Sequence, residues 1–186
     1  MADEPATPSS AAESSRAVIE QPKSRLERML AYRMLLSLAL GTFVLDQLTK
    51  LWIATRIPYG TYDESSGAIT VVRGFFYLVH QGNTGAAWSM LTGRSVLLAA
   101  LAAGTLLAIF LWRRALGLRD RSTQICFGLL CGGIIGNLAD RLIHGHVIDF
   151  IDLHFGTYAY PTFNVADSGI CVGVILYLLL SLRPPP

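Results

Sequence analysis

Two carboxylates stand where the chain is otherwise apolar. Asp149 lies in the run VIDFID (residues 147–152), and Asp167 lies in FNVADSGICVG, eighteen positions further on. Acids in such company are costly unless they are paired or used. Two carboxylates brought within a few ångströms cannot easily both ionise; they hold one proton between them and titrate as a pair. Such a pair can hydrolyse a carbonyl compound. One carboxylate takes a proton from water while the other donates to the carbonyl oxygen under attack. The seventeen residues between them are enough for the chain to fold back and bring them together, though spacing alone does not require it. Pro161 and Asn164 read as turn residues, so Asp167 is expected in the first turn of a helix. There the helix dipole favours the anion and partial burial favours the neutral acid.

Further polar groups interrupt apolar runs. Asn137 and Arg141 are four apart and therefore neighbours on a helix, with Asp140 beside them. An amide and a guanidinium together can grip backbone carbonyls or a carboxylate; the plainer reading is an Asp140–Arg141 charge cluster at a helix end. Asp46 and Lys50 are also four apart. They suit an intrahelical ion pair, and Lys50 can alternatively reach lipid phosphates at the membrane interface. His144, His146, Asp149, Asp152 and His154 crowd one connection and loosely resemble metal ligands. Their spacing is unspecific and no H-E-x-x-H run is present, so solvated interfacial histidines are the favoured reading and no metal is expected.

The elements that must position these groups are membrane helices. Of 186 residues 52% are hydrophobic and only 15% charged, against about 25% charged in soluble domains. Mean hydropathy is +0.46. A net charge of +2 is too small to argue for nucleic acid. Cys126, Cys131 and Cys171 fall in apolar runs without metal-ligand spacing and read as small packing residues. Four spans are expected, at about 32–54, 95–112, 124–143 and 166–182, each near the roughly 20 residues a crossing needs. Gly128, Gly132 and Gly136 recur every four residues on the third and predict close approach of another helix. Residues 1–24, rich in Ala, Ser, Glu and Pro, predict a disordered tail rather than a cleavable signal peptide.

Positive charge orients the spans. Lys23, Arg25, Arg28 and Arg33 precede the first; Arg113, Arg114, Arg119 and Arg121 lie between the second and third; Arg183 follows the fourth. Both termini are therefore expected in the cytoplasm, with the 55–94 and 144–165 connections outside. AITVVRGFFYLVHQ in the first outer connection favours a small sheet on the membrane surface, with turns at Gly74 and Gly82. The expected fold class is an all-α membrane protein: four transmembrane helices with a small outward-facing β-rich loop region.

DQLTKLW, GNTGAAWSML, GGIIGNLADRLIHGHVIDFID and FNVADSGICVG, in that order over about residues 32–182, resemble the ordered blocks of the lipoprotein signal peptidase (signal peptidase II) family. The resemblance implies an aspartyl endopeptidase of the bacterial cytoplasmic (inner) membrane. It implies removal of the signal peptide from a diacylglyceryl-modified prolipoprotein, with the cut before the lipidated cysteine, near the outer face. It maps a catalytic dyad onto Asp149 and Asp167, and substrate-holding or dyad-supporting positions onto Asn83, Asn137, Arg141 and Asn164. Asp46 and Lys50 match positions with a structural or lipid-contacting role, and Asp140 stands with them. It further implies no cofactor, inhibition by globomycin-type cyclic peptides, and a peptidase domain over 25–183 contacting membrane lipids. A monomer suffices, because one chain supplies every polar group. A small proton-coupled carrier relaying through Asp46, Lys50, Asp140 and Asp149 is the competing class, but no discontinuous spans repeat in two halves.

Overall fold

Four helices are where the long apolar runs require them. In the computed structural model, which describes residues 30–182, α1 spans Arg33–Arg56, α2 Ser95–Leu111, α3 Arg121–His144 and α4 Val165–Ser181. The expected tail over residues 1–24 lies outside the described residues. At 1.5 Å per residue, α1 and α3 are about 36 Å long and α2 and α4 about 25 Å. The first pair exceeds the hydrocarbon thickness and the second stands at its lower limit. Leu40 and Leu51 of α1, Val96 and Leu107 of α2, and Leu178 of α4 are exposed. Such surface is unfavourable in water but matches a hydrocarbon solvent.

Ends are set locally. Asp120 accepts from Thr123 N at 2.9 Å to start α3, and Gly145, left-handed at φ 76°, stops it. Helix α3 is the central element, packed against α1, α2 and α4. Its glycines make that possible. A Cβ on Gly132 would meet Ala39 O of α1 at 2.6 Å, and one on Gly133 would meet Ala166 of α4. Gly173 of α4 returns the contact, closing on Cys126 O of α3 at the same 2.6 Å. The expected glycine seam is thus one of two, since α3 carries small residues on the α4 side as well as the α1 side.

A four-stranded antiparallel sheet, in the order β1-β2-β3-β4, closes one end of the bundle. Strands β1 (Ile69–Val72) and β2 (Phe76–Asn83) come from the first long connection, β3 (Val147–Phe155) and β4 (Tyr158–Ala159) from the second. Gly74 makes the β1–β2 turn at φ 77°. Gly82 does not make a turn; it lies within β2 because Tyr59 and His146 pack where its side chain would be. The expected β-rich region therefore extends to the second connection. Gln81 pairs with Asp149 and Asn83 with Val147, while Ile53, Ile57, Ile148 and Phe150 bury the sheet against the end of α1. Phe163 O then accepts from Phe150 N and Ile151 N at 3.1 and 2.8 Å, which folds the chain after β4 back along β3 and into α4. The molecule is an all-α membrane protein with a small sheet at one end.

Candidate active site

The fold-back of the chain at Phe163 delivers Asn164 to the centre of the site. Asn164 is fully buried and is the N-cap of α4: its Oδ1 accepts from Asp167 N at 2.9 Å, and Asp167 Oδ2 accepts from Asn164 N at 3.3 Å. This reciprocal capping box fixes Asp167 on the first turn of α4. The same Asn164 amide donates to Asp149 Oδ1 at 2.7 Å, to Asn137 Oδ1 at 3.2 Å and to Ile148 O at 3.3 Å. One neutral side chain therefore joins the strand acid to the helix acid.

Each carboxylate has a second amide. Asn83, at the end of β2, donates to Asp149 Oδ2 at 2.9 Å and accepts from Gly85 N at 2.8 Å. Asn137 of α3 donates to Asp167 Oδ1 at 2.7 Å. Asp149 is 3% exposed. Burial, then the neighbouring Asp167 carboxylate, pushes its pKa up to about 7; hydrogen bonds from Asn83 and Asn164 and the charge of Lys50 oppose the rise. At neutral pH this group is poised to hold or release a proton.

Both acids line one cavity of about 560 Å³ together with Asn83, Asn137 and Arg141. Ile170 and Val172 of α4, with Trp88 and Phe163, give it apolar walls. Arg141 donates through Nη2 to Gly85 O at 2.9 Å and through Nη1 to Asn137 O at 3.4 Å, while its buried Nε has no partner among the described residues. A second cavity of about 580 Å³ shares Asn83 and Asp149 and runs over the sheet past Gln81, Asp152 and His154. An apolar chamber beside the helices thus adjoins a polar one over the sheet, and Asp149 borders both.

Beneath the cavity lies a buried charge cluster. Lys50 Nζ contacts Asp46 Oδ2 and Asp140 Oδ2, each at 2.8 Å, and donates to Asn137 Oδ1 at 3.1 Å. Its side chain is 2% exposed and pairs internally, the first of the two expected alternatives for Lys50. Gln47 donates to Asp46 Oδ2 at 3.1 Å and to Asp140 Oδ1 at 3.0 Å. Asp46 Oδ1 accepts from Ala166 N at 2.9 Å, and Asp140 Oδ2 from Ile148 N at 3.1 Å. Sequence reasoning passed over Gln47, a polar residue in an apolar span that offered its own signal.

The histidine cluster does not converge. His154 Nε2 meets Asp152 Oδ2 at 2.7 Å and sets its ring edge-on to Tyr77, whereas the rings of His144, the last residue of α3, and His146 lie 6.1 Å apart. Asp149 is engaged by asparagines instead. Among the described residues no group of three or more His, Cys, Asp or Glu side chains is placed to hold a metal ion.

Residues 38–183 match the family model described as Signal peptidase (SPase) II. The chain is 38% identical over 139 residues to a lipoprotein signal peptidase of Geobacillus kaustophilus, covering 75% of this chain and 86% of that protein. It is 40% identical over 161 residues to one of Ralstonia nicotianae, covering 80% and 83%. A solved structure described as a bacterial membrane enzyme superposes with a TM-score of 0.71 at 31% identity, covering 80% of this chain and 87% of that one. With four apolar helices, a sheet at one end and a strand acid and a helix acid linked through Asn164, the chain belongs to the signal peptidase II family, as an aspartic endopeptidase of that type and a multi-pass protein of the bacterial inner membrane.

Proposed function

We propose that Asp149 and Asp167 form the catalytic dyad and that the chain removes the signal peptide from diacylglyceryl-modified prolipoproteins, cutting the bond before the lipidated cysteine. The observation that carries this reading is the joining of buried Asp149 of β3 and half-buried Asp167 of α4 through Asn164 at the floor of one cavity. The pair shares one proton. Its ionised member takes a proton from a water that attacks the scissile carbonyl. Its protonated member donates to the carbonyl oxygen and, as the tetrahedral intermediate collapses, a proton passes to the departing amine of the cysteine. Water reaches Asp149 from the polar chamber over the sheet. The signal peptide and acyl chains approach from the lipid side, along the apolar wall of α4.

A helical peptide must unwind to be cut, because its carbonyls are otherwise occupied. The Nε of Arg141, without a partner among the described residues, is a donor for such a carbonyl, and Asn83 and Asn137 line the same cavity. Arg141 also holds Gly85 of the loop that borders the cavity. In this reading the sheet end faces outward, both termini are cytoplasmic, the peptidase domain spans 25–183, a monomer is sufficient, and a globomycin-type cyclic peptide competes for the cavity. The test is cleavage of a purified diacylglyceryl-modified precursor. Asp149→Asn and Asp167→Asn are each expected to lower kcat by about 10²–10⁴-fold, as loss of an acid–base group does, while inserting and folding. Near wild-type cleavage by either variant would remove the dyad assignment.

A further inference from the structure

The buried cluster beneath the cavity reaches the residue immediately before each acid. Asp140 accepts from Ile148 N, next to Asp149, and Asp46 accepts from Ala166 N, next to Asp167. These two carboxylates sit on different helices, α3 and α1, and among the described residues two side chains hold them together. Lys50 bridges Asp46 Oδ2 and Asp140 Oδ2, and Gln47 bridges Asp46 Oδ2 and Asp140 Oδ1. The backbone of α3 is thinned to admit this arrangement, because a Cβ on Gly136 would stand 2.5 Å from Asp46 Oδ2. Asp46, Gln47, Lys50 and Asp140 do not line the cavity among the described residues, whereas Asn137 lines it and also bonds Lys50.

Hydrogen-bond direction passes through that shared residue. An ammonium can only donate. Lys50 therefore takes the oxygen of Asn137, which leaves the Asn137 NH₂ to face Asp167 Oδ1 at 2.7 Å. Turned over, the amide would present its carbonyl to the carboxylate. The groups around Lys50 and Asn137 are Asp46 on α1, Asp140 and Arg141 on α3, Asp149 on β3 and Asp167 on α4.

We propose that Lys50 and Gln47 are positioning residues, cross-bracing Asp46 to Asp140 so that the backbone amides before Asp149 and Asp167 are held at a set separation and the Asn137 amide is held donor-first toward Asp167. The inference rests on the dyad reading above. It assigns to the first helix a part in the reaction geometry without contact with substrate. A brace of this kind acts on the chemical step, because displacing a catalytic group by about 1 Å costs about 10²-fold in rate. Binding of the lipid-modified substrate is left alone.

The test compares Gln47→Leu and Lys50→Met with wild type, Asp149→Asn and Asp167→Asn, on a diacylglyceryl-modified precursor in detergent. It reads thermal unfolding, KM, and kcat per mole of folded enzyme. Gln47→Leu keeps both ion pairs and is expected to fold, with KM within about threefold of wild type and kcat lowered by roughly tenfold. Lys50→Met is expected to lower kcat by about 10²-fold at similar KM. A role confined to stability predicts lower unfolding temperatures with kcat per folded molecule unchanged; that result in Gln47→Leu overturns the proposal even where Lys50→Met fails to fold. Full activity of the Asp variants sinks the dyad reading, whereas inactive Asp variants beside a fully active Gln47→Leu sink the brace alone.

Discussion

Asp149 bears the cost of its position in the absence of substrate. Its pKa is raised from the ordinary 3.8 to about 7, chiefly by burial and secondly by Asp167. The folded chain therefore binds a proton between about pH 4 and pH 7 that the unfolded chain has released, and this contribution to stability declines as pH rises through that window. A shift of about three units corresponds to roughly 4 kcal/mol, from which an Asn at the site subtracts about 1–3 kcal/mol for the acceptor it withdraws from the surrounding amides. Asp149→Asn is accordingly expected to gain on wild type as pH rises. Its unfolding temperature relative to wild type should climb by several degrees between pH 4.5 and pH 8 in detergent. An offset between the two proteins that stays constant with pH would contradict the assigned burial of charge.

Helix α3 converts sequence spacing into site geometry, and its glycines are the adjustable parts. Gly133 packs on the Ala166 backbone, one residue before Asp167, and Asn137 follows one turn later on the same helix. Gly133→Val would force α4 away, lengthen the 2.7 Å contact between Asn137 and Asp167, and lower kcat by about 10²-fold, the order an ångström's displacement costs. Gly41, with nothing within 4 Å of its absent Cβ, is the control: Gly41→Ala should leave activity unchanged and raise helix stability by roughly 0.5–1 kcal/mol, read by thermal unfolding and cleavage. The helices were legible because a run of about 20 apolar residues has few other uses, and the observed limits lie within three residues of those expected. Strand β3 was not. VIDFID has neither clean alternation nor a turn signal, and it becomes a strand through pairing with β2, whose partner residues lie 64 to 77 positions earlier. The Asp46–Lys50 contact was readable from a spacing of four, but their meeting with Asp140 was not, because helical spacing reports neighbours on one helix and says nothing of which two helices face each other.

The whole molecule is asymmetric along the helix axes, and its function depends on the sense in which it lies. The sheet, both acids and both cavities gather at one end. The opposite end carries Arg113, with its guanidinium 4.5 Å above the Phe110 ring, Arg114 and Arg119 in the turn between α2 and α3, and Arg121 at the start of α3. By the positive-inside rule the arginine end is expected on the cytoplasmic side, since the sheet end carries fewer cationic residues for its length. The proposed function requires the sheet, and with it the proposed dyad, to face outward. The orientation can be read with single cysteines in a Cys171→Ala background, since Cys126 and Cys131 are buried and Cys171 is exposed. Thr157, in the exposed turn between β3 and β4, and Ala115, in the exposed turn between α2 and α3, report the two ends. In intact spheroplasts a membrane-impermeant thiol reagent should label Thr157→Cys within minutes and Ala115→Cys only after lysis. Labelling of Ala115→Cys in sealed cells would reverse the molecule, place the acids on the cytoplasmic face, and leave the dyad on the wrong side of the membrane from the bond it is proposed to cut.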